Sequence, residues 1–414
     1  MQGYAGATAC IENGRDYSYA DLLARIDQVA IRLPPERTII PIEEPSIFEG
    51  LAQLLAIADS PHLAIPLPHL PEGQQRVMRA AAGLDGASMP KLYDELTRSG
   101  LILFSSGTSG KPKGMLHNLP ALLRRYEGVR PRRDRVLQLL LIDHIGGLDA
   151  ALRCLLAGST LVIPKARTAE AAAASIAAHR VSVLPASPTF LNLMLINGVH
   201  QSYDCSSVKI IAYGAEAMSA PLLSRLGEAF PGAELQQKFG TSETGAIRIE
   251  SAGRDSLFFC IKDRDTEWKI LEDELWLRNP ARILGYLDTS TGGLENDGWY
   301  RTGDLVEQDG EGRIRIVGRA SALINIGGQK VHPTEIETVL LEMLEVEACR
   351  VFGESNPITG QQVACEIFSQ AERNLQSWKQ SIRQHCRGKL APWKIPSSVT
   401  ICPELQVSDR LKRR

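Results

Sequence analysis

No CxxC pair and no HExxH pair occur in this 414-residue chain. Their absence excludes the common zinc frameworks, and eight cysteines scattered from Cys10 to Cys402 lack the close spacing of a small disulfide scaffold. Reduced thiols in a cytoplasmic protein are expected; Cys154, Cys205 and Cys349 stand beside apolar residues and read as core fillers. No apolar run is long enough to cross a bilayer. The opening stretch MQGYAGATACIENGRDYS lacks the basic start and apolar run of a signal peptide. Charge of one sign is not in excess either, and a formal net charge of −2 gives no footprint for nucleic acid or an anionic membrane. What remains is an ordinary globular composition, 44% hydrophobic and 23% charged, in a chain too long for one compact core, so two domains are expected.

From Arg135 to about Gly240, short β-rich runs alternate with helical runs. RVLQLLLI (135–142) predicts a buried strand and LDAALRCLLAG (148–158) a helix closed by glycine. STLVIP, VSVLPAS, VKIIAYG and ELQQKFG predict further strands. TAEAAAASIAAHR, PTFLNLMLI and SAPLLSRLGEAF predict helices, the last with Ser219 as N-cap and Pro221 in its first turn. Such alternation implies a mainly parallel, helix-covered sheet that binds ligands at the carboxyl ends of its strands. From Leu257 the texture changes to strand-and-turn material, with EQDGEG as a hairpin turn between DLV and RIRIVG. A small barrel-like antiparallel piece is expected there. Beyond Arg319, PTEIETVLLEML predicts a capped helix, ACRVFG and VACEIF strands, and NLQSWKQSIRQHCRGKL a helix. The expected division is residues 1–319 and a small α+β domain over 320–414.

LILFSSGTSGKPKG (101–114) carries four apolar residues into a loop of glycines, hydroxyls and two lysines. Successive backbone N–H groups with ammonium charge make an anion cradle. A P-loop would need GxxxxGK[ST]. Gly107 and Gly110 are too close for that pattern, Pro112 follows Lys111, and no hydroxyl residue follows either lysine. A flexible surface loop has the same composition.

The residue order of this loop resembles the phosphate-binding signature of the acyl-adenylate-forming superfamily, which includes acyl-CoA synthetases, peptide-synthetase adenylation domains and luciferases. Four further stretches, in order, resemble other motifs of that superfamily: QQKFGTSETG (236–245), GWYRTGD (298–304), GRASALINIGGQKVHPTEIE (318–337) and LAPWKIPSSVTICPELQVSDRLK (390–412). The resemblance implies an α/β fold with a large N-terminal adenylation domain of helix-covered, mainly parallel sheets and a mobile C-terminal domain. The implied activity is an AMP-forming acid–thiol ligase. ATP and an acid would form an acyl-adenylate and pyrophosphate, and the acyl group would then pass to the thiol of CoA.

By resemblance, Ser105, Ser106, Gly107, Thr108, Ser109, Gly110 and Lys113 hold the β- and γ-phosphates. Gly214, Ala215 and Glu216 in YGAEA line the adenine and acyl pockets, with Phe239, Gly240, Ser242, Glu243 and Gly245 in the next motif. Glu243 would bind Mg²⁺, a hard cation that takes carboxylate and phosphate oxygens. Asp304 would accept from both ribose hydroxyls, and Arg319 would lie beside the ribose. Each has a plainer reading: a surface glutamate, a turn brace, a structural arginine. The family ending Pro-x-Thr-x-x-Gly-Lys stands here as QVSDRLK, keeping Ser408 and the catalytic lysine as Lys412, unless RLKRR is only a basic tail. Ser321 would be the hinge, where an aspartate or lysine is common. Gly327 and Gly328 would let a pantetheine arm pass, or serve a tight turn.

LLLIDHIGGLDAAL (139–152) resembles the opening of the family's acyl-site helix, which implies that His144 and Gly147 lie at the acyl site, unless His144 is only a capping or packed residue; Asp143 precedes His144, so the aspartate of amino-acid-activating relatives is not wholly excluded. The expected substrate is a non-amino acid, aryl or short to medium acyl. The N-terminal region is compressed relative to the family. An acyl-carrier protein or an amine is the alternative acceptor, and a non-catalytic nucleotide-binding protein is the alternative of another class. A monomer or a homodimer fits equally.

Overall fold

The computed structural model describes all residues except 68–71, 84–90, 106–112, 288–291, 403, 404, 406, 407, 409, 410 and 412–414. Seven strands form the main sheet, in the order Glu234–Gln237, Ile210–Tyr213, Val183–Ala186, Arg135–Leu137, Thr160–Val162, Thr8–Glu12, Arg15–Ser18. All neighbours are parallel except the last two strands, a hairpin closed by Asn13 and Gly14, both with positive φ. From Arg135–Leu137 the chain crosses to Thr160–Val162 on one side and then to Val183–Ala186 on the other. That reversal opens a crevice at the strands' carboxyl ends.

The helices Ala169–His179, Pro188–Ile196 and Ala220–Ala229 cover one face and share a core with Leu184, Ile211 and Leu235. The other face packs on the helices Ile47–Ala58 and Ile145–Leu156, which also meet a second sheet through Leu101, Leu103 and Met115. This second sheet has the order Gly285–Tyr286, Lys113–Asn118, Gly100–Ser105, Leu63–Pro66, Ile39–Ile42. Its last three strands are parallel, and Gly100–Ser105 and Lys113–Asn118 are antiparallel. The alternation read from the sequence is therefore what packs, because each apolar strand needs a helix over it. Cys154, Cys205 and Cys349 are buried in these cores and in that of the C-terminal portion.

Several element lengths differ from expectation, two of them for a reason visible in the residues. The run 135–142 is a strand only over Arg135–Leu137. There the Gln138 amide turns to donate to the carbonyls of Leu140 (2.6 Å) and Gly147 (3.1 Å), and the chain leaves the ladder for the helix that His144 caps. The helix expected over 333–344 spans Pro333–Leu340; His332 offers it no side-chain cap, and proline alone opens it.

An antiparallel six-stranded sheet begins at Ile249, eight residues before the change of texture at Leu257, and is ordered Ile249–Ser251, Phe259–Ile261, Ile314–Arg319, Tyr300–Gln308, Glu274–Arg278, Glu267–Leu271. The EQDGEG hairpin is present as Tyr300–Gln308 against Ile314–Arg319. A second hairpin turns on Glu272 and Asp273, both left-handed, without the glycine or asparagine that would have announced it. The C-terminal portion has a core of its own, built around Trp378, Ile336, Val351 and Ile367. Its strands Ala348–Asn356 and Gly360–Phe368 are antiparallel, and Ser398–Cys402 joins the latter in parallel.

Candidate active site

Four loops that follow parallel strands collect at one edge of the main sheet: His144 after Arg135–Leu137, Ser187 after Val183–Ala186, Gly214–Glu216 after Ile210–Tyr213, and Phe239–Gly240 after Glu234–Gln237. Close approach dictates the glycines. A Cβ at Gly214 would lie 2.6 Å from the Lys238 carbonyl oxygen, and one at Gly240 would lie 2.4 Å from that of Gly245. Ala215 is exposed and left-handed (φ 69°) with a side chain that opposes it, at roughly 1–2 kcal/mol. Backbone strain of this kind gathers at functional sites. Glu216 accepts from the Thr189 N–H at 3.2 Å, which ties this loop to the neighbouring helix start.

Phe239–Thr241 and Gly245–Ile247 form a short hairpin. Thr241 and Thr244 brace its turn, 2.9 Å apart through their hydroxyls, so that Ser242 and Glu243 stand at the tip. Beneath it His117 is fully buried beside the backbone of Ser242 and Ala281; burial pushes its imidazole down to about 4, so it is neutral. The Ile283 N–H donates to the Glu243 carbonyl (2.7 Å), and the next residues, Gly285–Tyr286, pair with Lys113–Asn118. Tyr286 thereby reaches both motifs. Its hydroxyl donates to Glu243 Oε1 at 3.0 Å, and Lys113 Nζ lies 5.9 Å from its ring centre. Tyr300 also hydrogen-bonds Glu243; burial first, then the charge of Glu243, pushes its phenol far up, so it stays a donor.

The strand carrying Tyr300 also delivers Asp304. Glu274 accepts from the Gly303 N–H (2.9 Å), Thr302 donates to the Leu275 carbonyl (2.6 Å), and the Asp304 N–H donates to Thr302 (3.0 Å). Arg319 is the cross-strand partner of Asp304: its Nε sits 2.9 Å from Asp304 Oδ1, and its NH1 donates to the Thr302 carbonyl at 2.6 Å. Asp304 is only 6% exposed. Burial pushes its carboxyl up to about 6, with Arg319 pulling it down and Glu243 and Glu274 adding to the rise. Lys113, Glu243, Asp304 and Arg319 are thus gathered into one neighbourhood, through two tyrosines to which the sequence reading gave no role.

Ser105 ends its strand opposite Lys113 on the antiparallel neighbour. Ser106, Gly107, Thr108, Ser109 and Gly110 lie outside the described residues, as does Lys412. His144 caps its helix, with Nδ1 accepting from the Gly146 N–H at 3.4 Å. Gly147 meets the Leu141 carbonyl so closely that a Cβ would fall 2.0 Å from it, which makes packing its first role. Gly245 (φ 74°) serves the hairpin, and open space surrounds its missing side chain. Ser321 is exposed in a short 3-10 turn, Ala320–Ala322. Gly327 and Gly328 (φ 56° and 90°) form the two-residue turn between Ile324–Ile326 and Gln329–Val331, so the tight-turn reading accounts for both.

Residues 72–287 match the family described as AMP-binding enzyme, and residues 335–410 match the AMP-binding enzyme C-terminal domain. The chain belongs to the AMP-binding enzymes, an acyl-adenylate-forming family. It is 29% identical over 330 residues to the indoleacetate–CoA ligase of Aromatoleum aromaticum, a match covering 74% of this chain and 64% of that one. It is 28% identical over 333 residues to the 2-succinylbenzoate–CoA ligase of Bacillus velezensis, covering 75% and 66%. The match therefore spans just under two thirds of these relatives' lengths. The fold is that of an anthranilate CoA ligase solved with anthranoyl-AMP (TM-score 0.84, 19% identity, 100% and 93% covered). An amide bond synthetase from Marinactinospora thermotolerans is also similar (TM-score 0.80, 19% identity, 99% and 96% covered). No helix among the described residues of this AMP-binding enzyme is long and apolar enough to cross a membrane.

Among the described residues, the C-terminal portion meets the helix Pro188–Ile196 and its N-cap through two hydrogen bonds. Asn192 Nδ2 donates to the Glu347 carbonyl at 2.8 Å, and the Ser187 hydroxyl, at the helix N-cap, donates to the Leu411 carbonyl. Leu411 joins the apolar core beneath. Ser187, Tyr286 and Tyr300 were missed as site residues. Tyr300 stands inside the GWYRTGD motif, and that position was its only signal.

Proposed function

We propose that this AMP-binding enzyme activates a non-amino carboxylic acid, aryl or short to medium acyl, with ATP and passes the acyl group to the thiol of CoA. The convergence of Lys113, Glu243, Asp304 and Arg319 at the sheet's carboxyl edge carries this reading. A carboxylate oxygen attacks the α-phosphorus of ATP, and the bond to the β-phosphate oxygen breaks. Pyrophosphate leaves with the electron pair. The thiol sulfur then attacks the acyl carbon, its proton is lost to solvent, and AMP departs.

Two anions must meet in the first step, so donors and positive charge have to face the reacting phosphorus. Lys113 and the loop from Ser105 would hold the outer phosphates, and Lys412 would bridge the acid and the α-phosphate. Ionised Asp304 would accept from the ribose hydroxyls, with Arg319 beside it. Gly214, Ala215, Glu216, Phe239 and Gly240 would line the adenine, and His144, Gly147, Gly240 and Gly245 the acid. Glu243 is the residue that would hold Mg²⁺. Among the described residues no three His, Cys, Asp or Glu side chains gather. One carboxylate suits an ion bound mainly through phosphate oxygens and water. Bound there, it would neutralise charge on the phosphates.

Ser321 is proposed as a hinge dividing residues 1–319 from 320–414, supported by its exposure and by the separate core beyond it. Free buried thiols support a cytoplasmic setting. The likeness to an amide bond synthetase favours a second reading, in which an amine replaces CoA as acceptor.

The test is acid-dependent ATP–pyrophosphate exchange over indoleacetate, 2-succinylbenzoate, 4-coumarate, anthranilate and short fatty acids, followed by CoA or amine addition. Exchange with at least one acid, and a thioester with CoA, is expected. Exchange with none, from a folded protein, would point to a non-catalytic nucleotide binder.

A further inference from the structure

Leu411 is an unusual residue for the place it occupies. Its φ is 55°, the left-handed region that a side chain disfavours, yet it is only 7% exposed. Its side chain belongs to the apolar core that lies under the helices Pro188–Ile196 and Ala220–Ala229, with members such as Tyr213 and Met218. Its N–H closes a turn on the Ser408 carbonyl at 2.8 Å, and its own carbonyl accepts from the Ser187 hydroxyl. Ser187 is itself 1% exposed and caps a helix by accepting from the Phe190 N–H at 3.2 Å, so the partner it offers is fixed. The resembling family ending has glycine here, which would accept the backbone without strain but would have nothing to bury.

We propose that Leu411 is a positioning residue: its buried side chain anchors the C-terminal tail at the carboxyl edge of the main sheet and thereby sets where the next residue, Lys412, meets the ligand. The inference rests on the adenylate-forming reading for what Lys412 does, and on the Leu411 contacts alone for the anchoring. Asn192 holds Glu347 on the same helix. Among the described residues the small portion therefore has two fixings on one helix, and Leu411 is the one adjacent to the proposed lysine. A leucine that relieves no backbone need and sits in a core it need not enter is explained by the hold it gives.

Leu411→Ala, Leu411→Gly and Leu411→Met are compared with wild type in three measurements: trypsin cleavage of the tail in the ligand-free protein, ATP–pyrophosphate exchange, and conversion of purified acyl-adenylate to thioester by CoA. The alanine and glycine variants are expected to lose their tail to trypsin and to lose exchange kcat by about tenfold, the ATP KM and the thioester step staying within about twofold. Methionine should restore both, because it refills the apolar site. A glycine variant that exchanges as well as wild type with its tail protected would overturn the proposal, since the backbone alone would then suffice. Equal losses in both half-reactions would also overturn it, as the sign of a general folding defect. If the wild type exchanges with no acid, the functional reading fails, and the anchor stands or falls on tail cleavage alone.

Discussion

Around Glu243 the polar atoms are held by residues brought from far along the chain: Tyr286 stands 43 residues away, and Tyr300 and Asp304 arrive on a strand of another sheet. Around Leu411 the hold among the described residues is one buried side chain, one hydroxyl and one turn. The first region is a mesh in which no single bond sets the geometry. The second is a tether. The proposed reaction, which would first form an adenylate and then admit a thiol, would need both, a fixed floor and a group that can be withdrawn.

The contrast is sharpest where the tether ends. Lys412→Ala should reduce exchange by about 10²–10³-fold, the scale of losing one charged transition-state partner, while ATP binding by equilibrium dialysis changes little. Exchange near wild type would assign the role to another lysine. Within the mesh, Asp304→Asn should weaken ATP binding by about tenfold or more, the cost of a charge-assisted acceptor. Because burial holds the Asp304 carboxyl at about 6, wild-type ATP affinity should rise with pH through that value as the carboxylate forms; the asparagine variant should be flat.

The same shift has a sign in stability. The folded protein binds a proton there more tightly than the unfolded chain, so this contribution is full below pH 4 and is lost as pH rises through about 6. Thermal melts of the ligand-free proteins should show Asp304→Asn gaining on wild type across that window. Tyr286→Phe removes one of at least two donors to Glu243 and should cost about fivefold in exchange, the scale of one hydrogen bond. A loss as large as that for Lys412 would mean the mesh is no mesh. The smallest effect is expected at Gly327→Ala, where only the left-handed backbone objects, at about 1 kcal/mol of stability. Exchange should be unchanged; a selective fall in the thioester step would support passage of the pantetheine arm.

What the sequence made legible follows the reach of its signals. The alternation over 135–240 stood out because each strand and helix declares itself locally, and the motifs singled out Glu243, Asp304 and Lys113 as candidates because their neighbours travel with them. Gln138 was read as the interior of a strand, since a polar residue that turns back onto two carbonyls looks no different in a string of leucines. The Glu272–Asp273 turn carries no glycine. Tyr286 gains its place only by pairing with the strand of Lys113 about 170 residues earlier, a long-range contact that no local pattern encodes. Leu411 was passed over as the residue before a lysine; its burial depends on a core assembled two hundred residues upstream.

The central claim is that an acid's carboxylate displaces pyrophosphate from the α-phosphorus in this site. Turnover with a substrate acid labelled by oxygen-18 in its carboxylate, followed by mass spectrometry of the products, tests it directly. One labelled oxygen in AMP and none in pyrophosphate is the expected result. Unlabelled AMP, or label in released inorganic phosphate, would contradict it.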